Sequence, residues 1–348
     1  MITAVSLFTG AGGMDIGFEK AGVEVVLANE IDKMAAQTYM KNRPNANLII
    51  DDIDNISAEL DRHKGVDIVF GGPPCQGFSV IGKMNPDDSR SQLIWSFLKA
   101  VEIIQPKAFV MENVKALAYI QKWKPIKDAF LEKAKSLGYG CVPYIINAAE
   151  YGTPQKRERV FFIGIRDNYT FDAEIQHLIE AQKRKAPVIR ELFKDLGPAG
   201  SLQNPKTCNA KTTFAEYPVM RKIPYDCLMF NGIGRPIDPD SYSRTITASQ
   251  GGNMTLIVDE EYLHDPSADN WIQDYYDKLV TKKIIPEFAE APSRLRRLTI
   301  NETKRIQTFP DDYVFCGAKT NIYKQIGNAV PCEMAKSIAS AVVEYISK

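Results

Sequence analysis

A cysteine and a glutamate follow two apolar segments of the sequence, in positions that favour chemistry. Cys75 comes after the apolar segment 66–70 and two prolines, and Glu112 comes directly after the apolar segment 108–111. Most lone cysteines are small buried residues, but a proline-stiffened loop is a poor place for packing. A thiolate there would be a nucleophile, and a carboxyl group facing it would be an acid or a hydrogen-bond partner. The two residues indicate nucleophilic catalysis, with a helix N-cap as the alternative role of Glu112.

Two arginines precede another apolar segment, 160–165. Arg157 and Arg159 are two positions apart, and in an extended chain such residues point to the same side. Paired guanidinium groups can clamp a carboxylate or a phosphate. The segment is therefore a candidate for anion binding, with a solvated run of charges as the alternative.

A glycine-rich segment, 10–13, follows the first apolar segment of the chain. Glycines permit a tight turn in which backbone N–H groups approach a ligand closely. A dinucleotide-binding turn would have a third glycine where Asp15 stands, and that carboxylate would repel a pyrophosphate. A nucleoside with a cationic or zwitterionic tail is favoured, with Glu30 placed to hold the ribose hydroxyls and Asp52 near an adenine amino group. A purely structural turn is the alternative.

The elements that must position these residues alternate between strands and helices. The predicted strands are the apolar segments 4–8, 23–28, 47–50, 66–70, 108–111 and 160–165, and the helical patterns between them include 93–104 and 126–137. Strands separated by helices require crossover connections, which give a parallel sheet. We predict an α/β fold with a doubly wound, mostly parallel, Rossmann-like sheet, in which ligands bind beyond the carboxyl ends of the strands.

The regular pattern is lost after residue 165. The following stretch is rich in Pro, Asn, Thr, Tyr and Gly, with short β-like pieces, and helical order returns near the end of the chain. The last helix has an apolar face that suits packing on the sheet. We predict a catalytic domain of residues 1–165 plus 306–348 and a second, smaller, irregular β-containing domain of residues 166–305.

The charges balance over the whole chain but not within it. The 348 residues include 43 basic and 43 acidic residues, and a nucleic-acid partner usually requires a basic excess. Bulk charge alone therefore argues against DNA or RNA. Residues 181–224, however, hold nine basic and three acidic residues, whereas residues 259–290 hold three basic and nine acidic ones. Such a split suits a protein that binds a nucleic acid with one face.

Membrane and metal partners are not expected. No apolar run approaches the roughly 18 residues of a membrane-spanning helix, and the chain does not begin like a signal peptide. The six cysteines form no Cys-x-x-Cys pair and the three histidines are isolated, so neither a disulfide framework nor a zinc site is indicated. A protein of the reducing cytoplasm is predicted.

Five further patterns occur along the chain. They are Pro-Pro-Cys-Gln at 73–76, Glu-Asn-Val at 112–114, Gln-x-Arg-x-Arg at 155–159, Arg-x-Leu-Thr to Gln-x-Phe-Pro at 296–310 and Gly-Asn-Ala-Val-Pro at 327–331. With the glycine turn and in this order, they resemble the C5-cytosine-specific DNA methyltransferases of bacterial restriction-modification systems. The long irregular region is similar to the target-recognition domain of that family.

The resemblance implies S-adenosylmethionine as the cofactor and a cytosine of double-stranded DNA as the substrate. Cys75 would add to C6 of a flipped-out cytosine, and Glu112 would bind N3 and the exocyclic amino group. Arg157 and Arg159 would bind O2 or a nearby phosphate and orient Glu112. The implied cofactor pocket comprises Phe8, Ala11, Gly12, Gly13, Glu30, Ile31, Asp52, Ile53, Pro74, Asn328 and Val330.

The resemblance also implies residues that contact DNA. Ile81 would fill the space left by the flipped base, on a segment, 79–91, that would close over the DNA. A Thr-Ile element at 245–246 would lie near the target base, with Thr255 and Leu256 as a rival for that place. The implied DNA-binding residues are Gln76, Ser79, Ile81, Arg90, Arg244, Thr245 and Ile246.

Two alternative functions stay open. A tRNA cytosine methyltransferase of the same fold would use the same chemistry, but that branch has a reduced recognition region, and the long stretch between Ile165 and Arg294 favours DNA. A non-catalytic DNA-binding homologue would lack the nucleophile or the acid, whereas Cys75 and Glu112 are both present. We expect a monomer that acts in the bacterial cytoplasm, with a cognate restriction endonuclease acting separately.

Overall fold

The computed structural model describes residues 1–74 and 92–348. Its strands are β1 (Ile2–Leu7), β2 (Val23–Asn29), β3 (Leu48–Ile49), β4 (Ile68–Gly71), β5 (Ala108–Val114), β6 (Tyr139–Asn147), β7 (Gln155–Lys156), β8 (Glu158–Arg166), β9 (Phe214–Val219), β10 (Leu228–Phe230), β11 (Ser243–Arg244), β12 (Ile257–Asp259) and β13 (Leu295–Arg297). Its α-helices are α1 (Gly13–Lys20), α2 (Lys33–Asn42), α3 (Ser57–Arg62), α4 (Leu93–Ile104), α5 (Lys115–Tyr119), α6 (Lys124–Ser136), α7 (Asp172–Ala181), α8 (Ile189–Phe193), α9 (Glu260–His264), α10 (Trp271–Val280), α11 (Ile300–Ile306), α12 (Lys319–Asn328) and α13 (Cys332–Ile346).

Seven strands form one large sheet in the order β3-β2-β1-β4-β5-β8-β6. The strands β1 to β5 run parallel to one another. β8 lies between β5 and β6 and is antiparallel to both. The predicted doubly wound, mostly parallel sheet is confirmed.

The edge strand β6 was not predicted from the sequence. Its nine residues include Gly140 and Pro143, which weaken a strand pattern. An edge strand tolerates the missing N–H of a proline because one side of the strand has no neighbour to bond. Gly140 is required by packing, since a Cβ there would lie 2.0 Å from the carbonyl oxygen of Asn168. The edge position therefore explains the proline in this strand, and close packing explains the glycine.

Helices cover both faces of the sheet. Successive side chains of a strand point to opposite faces, so Phe70 packs in a cluster with α1 and α13, while Val69 packs in a second cluster with α3, α4 and α6. Phe18 of α1 stacks on Phe70 with 3.9 Å between the ring centroids. Ile338 and Val342 of α13 join the first cluster, so the last helix packs on the sheet as its apolar face predicts. α7 packs against α13 in the same cluster.

The residues between α7 and α11 contain short helices and small sheets. β9–β10 and β12–β13 are antiparallel pairs, and β11 pairs in parallel with β7. Their apolar side chains form two clusters of their own, one around Phe193 and Val258 and one around Met229 and Tyr275. This region is irregular and β-containing, as predicted, and the domain bounds at 165 and 306 stay a prediction. In the described part of the chain, no helix is long and apolar enough to cross a membrane.

Candidate active site

One row of paired residues crosses the sheet near the carboxyl ends of its parallel strands. Leu7 is paired with Asn29 on one side and Gly71 on the other, Asn29 with Ile49, and Gly71 with Met111. The residues that come next along each strand therefore emerge at the same edge. They are Phe8, Glu30, Ile50, Gly72 and Glu112.

Glu112 is buried and forms an ion pair with Arg159, with 3.0 Å between Arg159 Nε and Glu112 Oε1. Glu112 is paired with Phe161 in the antiparallel ladder, and Arg159 lies two residues before Phe161, so both side chains are on the same face. Burial raises the pKa of Glu112, while Arg159 and Arg157 oppose that shift. A carboxyl group in this setting is oriented by the guanidinium and still able to hold a proton.

The end of β5 is bound to the segment that leads to Cys75. Asn113 Nδ2 donates to the carbonyl oxygen of Pro73 at 3.2 Å, and a Cβ on Gly72 would lie 3.1 Å from Glu112 Oε2. Glycine thus leaves room for the carboxyl group, and the amide of Asn113 fixes the proline segment beside it. Pro74 is exposed. The predicted residues Cys75, Gln76, Ser79, Ile81 and Arg90 lie outside the described residues.

Arg157 is buried and donates to backbone carbonyls of two distant segments. Its Nη1 lies 2.7 Å from the oxygen of Ile246 and 3.2 Å from that of Gly327, and its Nη2 also lies 3.2 Å from the Gly327 oxygen. Arg157 stands between β7 and β8, where the chain is not one continuous strand. The two arginines are both near Glu112, but the hydrogen bond to its carboxylate is made by Arg159.

Two glutamines, Gln155 and Gln307, complete this contact region, although neither was predicted as a site residue. Gln155 Nε2 donates to Gln307 Oε1 at 2.9 Å, and Gln155 Oε1 accepts from the backbone N–H of Ile246 at 2.9 Å. Gln307 Nε2 donates in turn to the carbonyl oxygen of Ile326 at 2.6 Å. Both amides are fully buried, and buried amides need partners. The sequence did mark both residues, because each glutamine begins one of the quoted patterns: Gln-x-Arg-x-Arg at 155–159 and Gln-x-Phe-Pro at 307–310.

The segment Arg244, Thr245 and Ile246 lies beside the arginine segment. Arg244 is paired with Lys156 in the β7–β11 ladder, and Thr245 Oγ1 donates to the carbonyl oxygen of Lys156 at 2.8 Å. Thr255, from the rival element, is buried, and its carbonyl oxygen accepts from Arg297 at 2.7 Å. Thr245 is therefore the threonine that borders the arginine segment, and Arg244 forms an ion pair with Asp226.

The glycine turn has three residues with left-handed backbone angles. The φ angles are 55° at Phe8, 55° at Gly10 and 77° at Gly12. Glu30 is buried against this turn, and its Oε2 accepts the N–H of Gly10 at 2.7 Å while its Oε1 accepts the N–H of Asp32 at 2.7 Å. Burial raises the pKa of Glu30, although these two hydrogen bonds favour the ionised carboxylate and oppose the shift. One carboxylate thus shapes the turn and retains lone pairs for a ligand.

The other predicted cofactor residues surround the same edge. Ile31 is 61% exposed, Ile53 is buried in the core, and Asp52 Oδ1 accepts the N–H of Asp54 at 3.0 Å. Val330 comes from the returning segment, and a Cβ on Gly13 would lie 2.6 Å from its carbonyl oxygen. Among the other residues predicted to bind the cofactor, Ala11 and Gly12 are buried, whereas Asn328 is exposed.

The carboxyl group of Asp15, which was expected to repel a pyrophosphate at the turn, lies in the interior. Its side chain is fully buried, and the hydroxyl of Tyr39 donates to Asp15 Oδ1 at 2.9 Å. The residue lies in the first turn of α1, and the packing of that helix rotates it toward α2. Its carboxyl group therefore links α1 to α2. In the described residues no group of three His, Cys, Asp or Glu side chains is placed to hold a metal ion.

Nearly the whole chain matches one family of known sequences. A model of the family described as C-5 cytosine-specific DNA methylase matches residues 2–344. The chain is 31% identical to the Type II methyltransferase M.DdeI of Desulfomicrobium norvegicum, over 98% of this chain and 88% of the relative. It is 35% identical to the Type II methyltransferase M.FnuDI of Fusobacterium nucleatum, over 99% of this chain and 94% of the relative.

A solved structure shares the fold. The chain superposes on the Dnmt2 methyltransferase of S. pombe with a TM-score of 0.68 at 16% identity, covering 100% of this chain and 99% of the other. At this identity the likeness concerns the fold, and it includes the region beyond the large sheet.

Proposed function

The chain belongs to the C-5 cytosine-specific DNA methylases, and on that premise we propose that it transfers a methyl group from S-adenosylmethionine to C5 of a flipped-out cytosine in a specific sequence of duplex DNA. The observation that carries the proposal is the buried pair of Glu112 and Arg159, at the sheet edge beside the segment leading to Cys75. An oriented carboxyl group with a raised pKa is suited to protonating a ring nitrogen.

The residues at the glycine turn fit S-adenosylmethionine. Glu30 stands at the end of β2, where an acidic residue binds ribose hydroxyls in nucleotide-binding sheets, and both of its oxygens are already oriented by backbone N–H groups. The exposed side chain of Ile31 offers an apolar surface to an adenine ring. A Cβ on Gly10 would meet no atom within 4 Å, so the turn leaves space above it. When bound, this cofactor supplies the electrophilic methyl group that becomes attached to C5.

The chemistry requires a nucleophile because C5 of cytosine is unreactive by itself. The Cys75 thiolate adds to C6, and the new S–C6 bond makes C5 nucleophilic. Glu112 donates a proton to N3, where negative charge develops, and Arg159 keeps the carboxyl group in place. Once C5 carries the methyl group, its proton leaves to water and the electrons of the C5–H bond expel the Cys75 thiolate. N3 then returns its proton to the Glu112 carboxylate, which restores the acid.

Duplex DNA is the proposed substrate, with the recognition region reading its sequence. A base inside a duplex cannot reach a buried carboxyl group, so the nucleotide has to rotate out of the stack. The Arg244–Ile246 segment lies against β7, directly before the two arginines, and in this proposal it contacts DNA next to the extruded base. The names of the relatives as Type II methyltransferases support DNA as the substrate.

A tritium-transfer assay on duplex DNA and on tRNA tests the substrate. We expect label in DNA, and bisulfite sequencing of DNA from expressing cells then gives the target sequence and the modified cytosine. Label found exclusively in tRNA would refute the DNA assignment and support the tRNA-directed alternative.

The nucleophile is tested by substitution. Cys75→Ser should abolish turnover and leave DNA binding largely intact, because a hydroxyl is a much weaker nucleophile than a thiolate. Cys141→Ser, at a partly exposed cysteine paired with Gly164 toward the opposite end of the sheet, is the matched control and should retain turnover. Full activity of the Cys75→Ser variant would refute covalent addition by this residue. A monomeric state, a cytoplasmic location and a separate cognate endonuclease stay predictions.

A further inference from the structure

A cluster of polar side chains supports the glycine turn from behind, away from the face proposed to bind the cofactor. We call it the turn-support cluster, and it consists of Asp15, Tyr39, Arg43 and Tyr313. Tyr313 donates its hydroxyl hydrogen to the carbonyl oxygen of Ala11 at 2.5 Å. Arg43 Nη1 donates to the Tyr313 hydroxyl at 3.1 Å. A chain of hydrogen bonds thus ends on the backbone of the turn.

Arg43 is held by three partners at once. Its Nε and Nη2 donate to the two carboxylate oxygens of Glu19 at 2.7 and 2.8 Å, and its guanidinium lies 4.7 Å from the centroid of the Tyr39 ring. Tyr39 is fixed in turn by its hydrogen bond to Asp15. A bidentate pair with a carboxylate orients the guanidinium fork, so the remaining N–H group is aimed at Tyr313.

The turn is in direct contact with this cluster. A Cβ on Gly12 would lie 2.8 Å from Arg43 Nη1, 3.0 Å from Tyr39 Cδ2 and 3.1 Å from the Tyr313 hydroxyl. Left-handed backbone angles recur at Phe8, Gly10 and Gly12. Glycine adopts such angles readily, whereas a phenylalanine keeps one only where the surrounding structure holds it, so neighbouring groups help to maintain the shape of the turn.

Tyr313 reaches the turn from the far end of the chain. It lies between α11 and α12, in the segment that returns after the recognition region, and Lys304 Nζ of α11 donates to the carbonyl oxygen of Asp311 at 2.6 Å. The next residue, Val314, is fixed to Asn42 of α2 by hydrogen bonds of 2.9 and 2.8 Å. The returning segment is thus anchored to α2 and presents Tyr313 to the turn.

We propose that Tyr313 and Arg43 are positioning residues for the cofactor: through the carbonyl group of Ala11 they keep the glycine turn in the shape that receives it. The inference rests on the proposed function, because it assigns the cofactor to this turn. Neither residue touches the proposed ligand. Their effect is on the affinity for the cofactor and not on the chemical step.

The test is the binding of S-adenosylhomocysteine to the full chain, measured by calorimetry without DNA. Tyr313→Phe removes one hydroxyl, and we expect the dissociation constant to rise roughly tenfold, the factor for one lost hydrogen bond. Arg43→Lys keeps the charge but cannot bind Glu19 and Tyr313 together, so it should weaken binding in the same direction. With saturating cofactor, both variants should keep the wild-type kcat and the wild-type KM for DNA.

Tyr139→Phe is the matched control. Tyr139 is a buried tyrosine whose hydroxyl donates to a backbone carbonyl, that of Pro106, at 2.8 Å, and it is distant from the turn. The Tyr139→Phe variant should lower Tm as much as Tyr313→Phe does and leave the binding of S-adenosylhomocysteine unchanged. Equal affinity of wild type, Tyr313→Phe and Arg43→Lys would overturn the inference and give the cluster a purely structural role. If the wild-type chain binds no S-adenosylhomocysteine, the cofactor assignment itself fails, and the inference with it.

Discussion

Arg159 Nε lies 3.0 Å from Glu112 Oε1, across two neighbouring antiparallel strands. The pair combines two opposing influences on one carboxyl group. Burial favours the protonated form, and the guanidinium favours the ionised form, with a net rise in the pKa of Glu112. The same contact that orients the carboxyl group therefore also limits how strongly it holds its proton.

The first prediction concerns removal of that guanidinium. Arg159→Gln should lower kcat by about 10²- to 10³-fold, because Glu112 loses its orientation. The pKa of Glu112 should rise further, since the nearby positive charge is gone. Protonated Glu112 is the active form, so activity is lost as pH rises through its pKa, and the alkaline limb of the pH–rate profile should move to higher pH.

Arg159→Lys is the control for that profile. It retains a positive charge near Glu112, so its alkaline limb should stay closer to that of the wild type even if kcat is reduced. An alkaline limb that does not move in Arg159→Gln, or that moves to lower pH, would contradict the role of Glu112 as the proton donor.

The second prediction separates the two arginines. Arg157 donates to the carbonyl oxygens of Ile246 and Gly327 in the interior, so Arg157→Ala should leave both buried groups without this donor. We expect a loss of about 2–4 kcal/mol in the free energy of unfolding, seen as a lower Tm. Arg166→Ala is the control. Arg166, the last residue of β8, also donates to a backbone carbonyl, that of Gln105, but its side chain is exposed. Equal Tm values for the two variants would show that Arg157 is not a structural link.

The site edge was predictable because parallel strands impose it. Once the apolar segments are taken as parallel strands, the residues that follow them have to meet, and Phe8, Glu30 and Glu112 do so. The spacing of Arg157 and Arg159 likewise indicated one shared side. It could not show that Arg157 precedes β8 and is drawn into backbone contacts, since that depends on where Gly327 and Ile246 return.

Packing that depends on distant segments was not predictable. The carboxylate of Asp15 was expected to repel a pyrophosphate at the turn, but the rotation of α1 is set by its packing, and the partner Tyr39 belongs to α2. Gln155 and Gln307 are far apart in the sequence, and their contact exists only because the chain leaves the large sheet and returns to it. Patterns of neighbouring residues carry no information about contacts between segments so far apart in the sequence.

The third prediction concerns Glu30. Each of its two oxygens accepts a backbone N–H, from Gly10 and from Asp32, whereas the amide of a glutamine has one accepting oxygen. Glu30→Gln should therefore distort the turn and raise the dissociation constant for S-adenosylhomocysteine by about tenfold or more. Glu24→Gln, at an exposed position of the same strand, is the control. Unchanged binding in Glu30→Gln would remove this residue from the proposed cofactor site.

The fourth prediction is a pH-dependent stability change at Asp15. Burial raises the pKa of Asp15 to about 6, although Arg43, Ser6 and Tyr39 oppose the shift. An unfolded chain releases this proton near pH 4, so between about pH 4 and 6 the folded state holds a proton that the unfolded state has lost. Stability from this group therefore falls as pH rises through that window, by about 3 kcal/mol in total.

Asp15→Asn tests this sign, because an amide cannot ionise and can still accept the hydrogen bond from Tyr39. Relative to wild type, the variant should have a higher Tm at pH 8 and nearly the same Tm at pH 4, measured by thermal unfolding. Asp61→Asn, at an exposed carboxyl group of α3, is the control and should change Tm at neither pH. A variant less stable than wild type at pH 8 would contradict the prediction. It would mean that the ionised carboxylate stabilises the folded protein, through Arg43, and that folding lowers the pKa of Asp15.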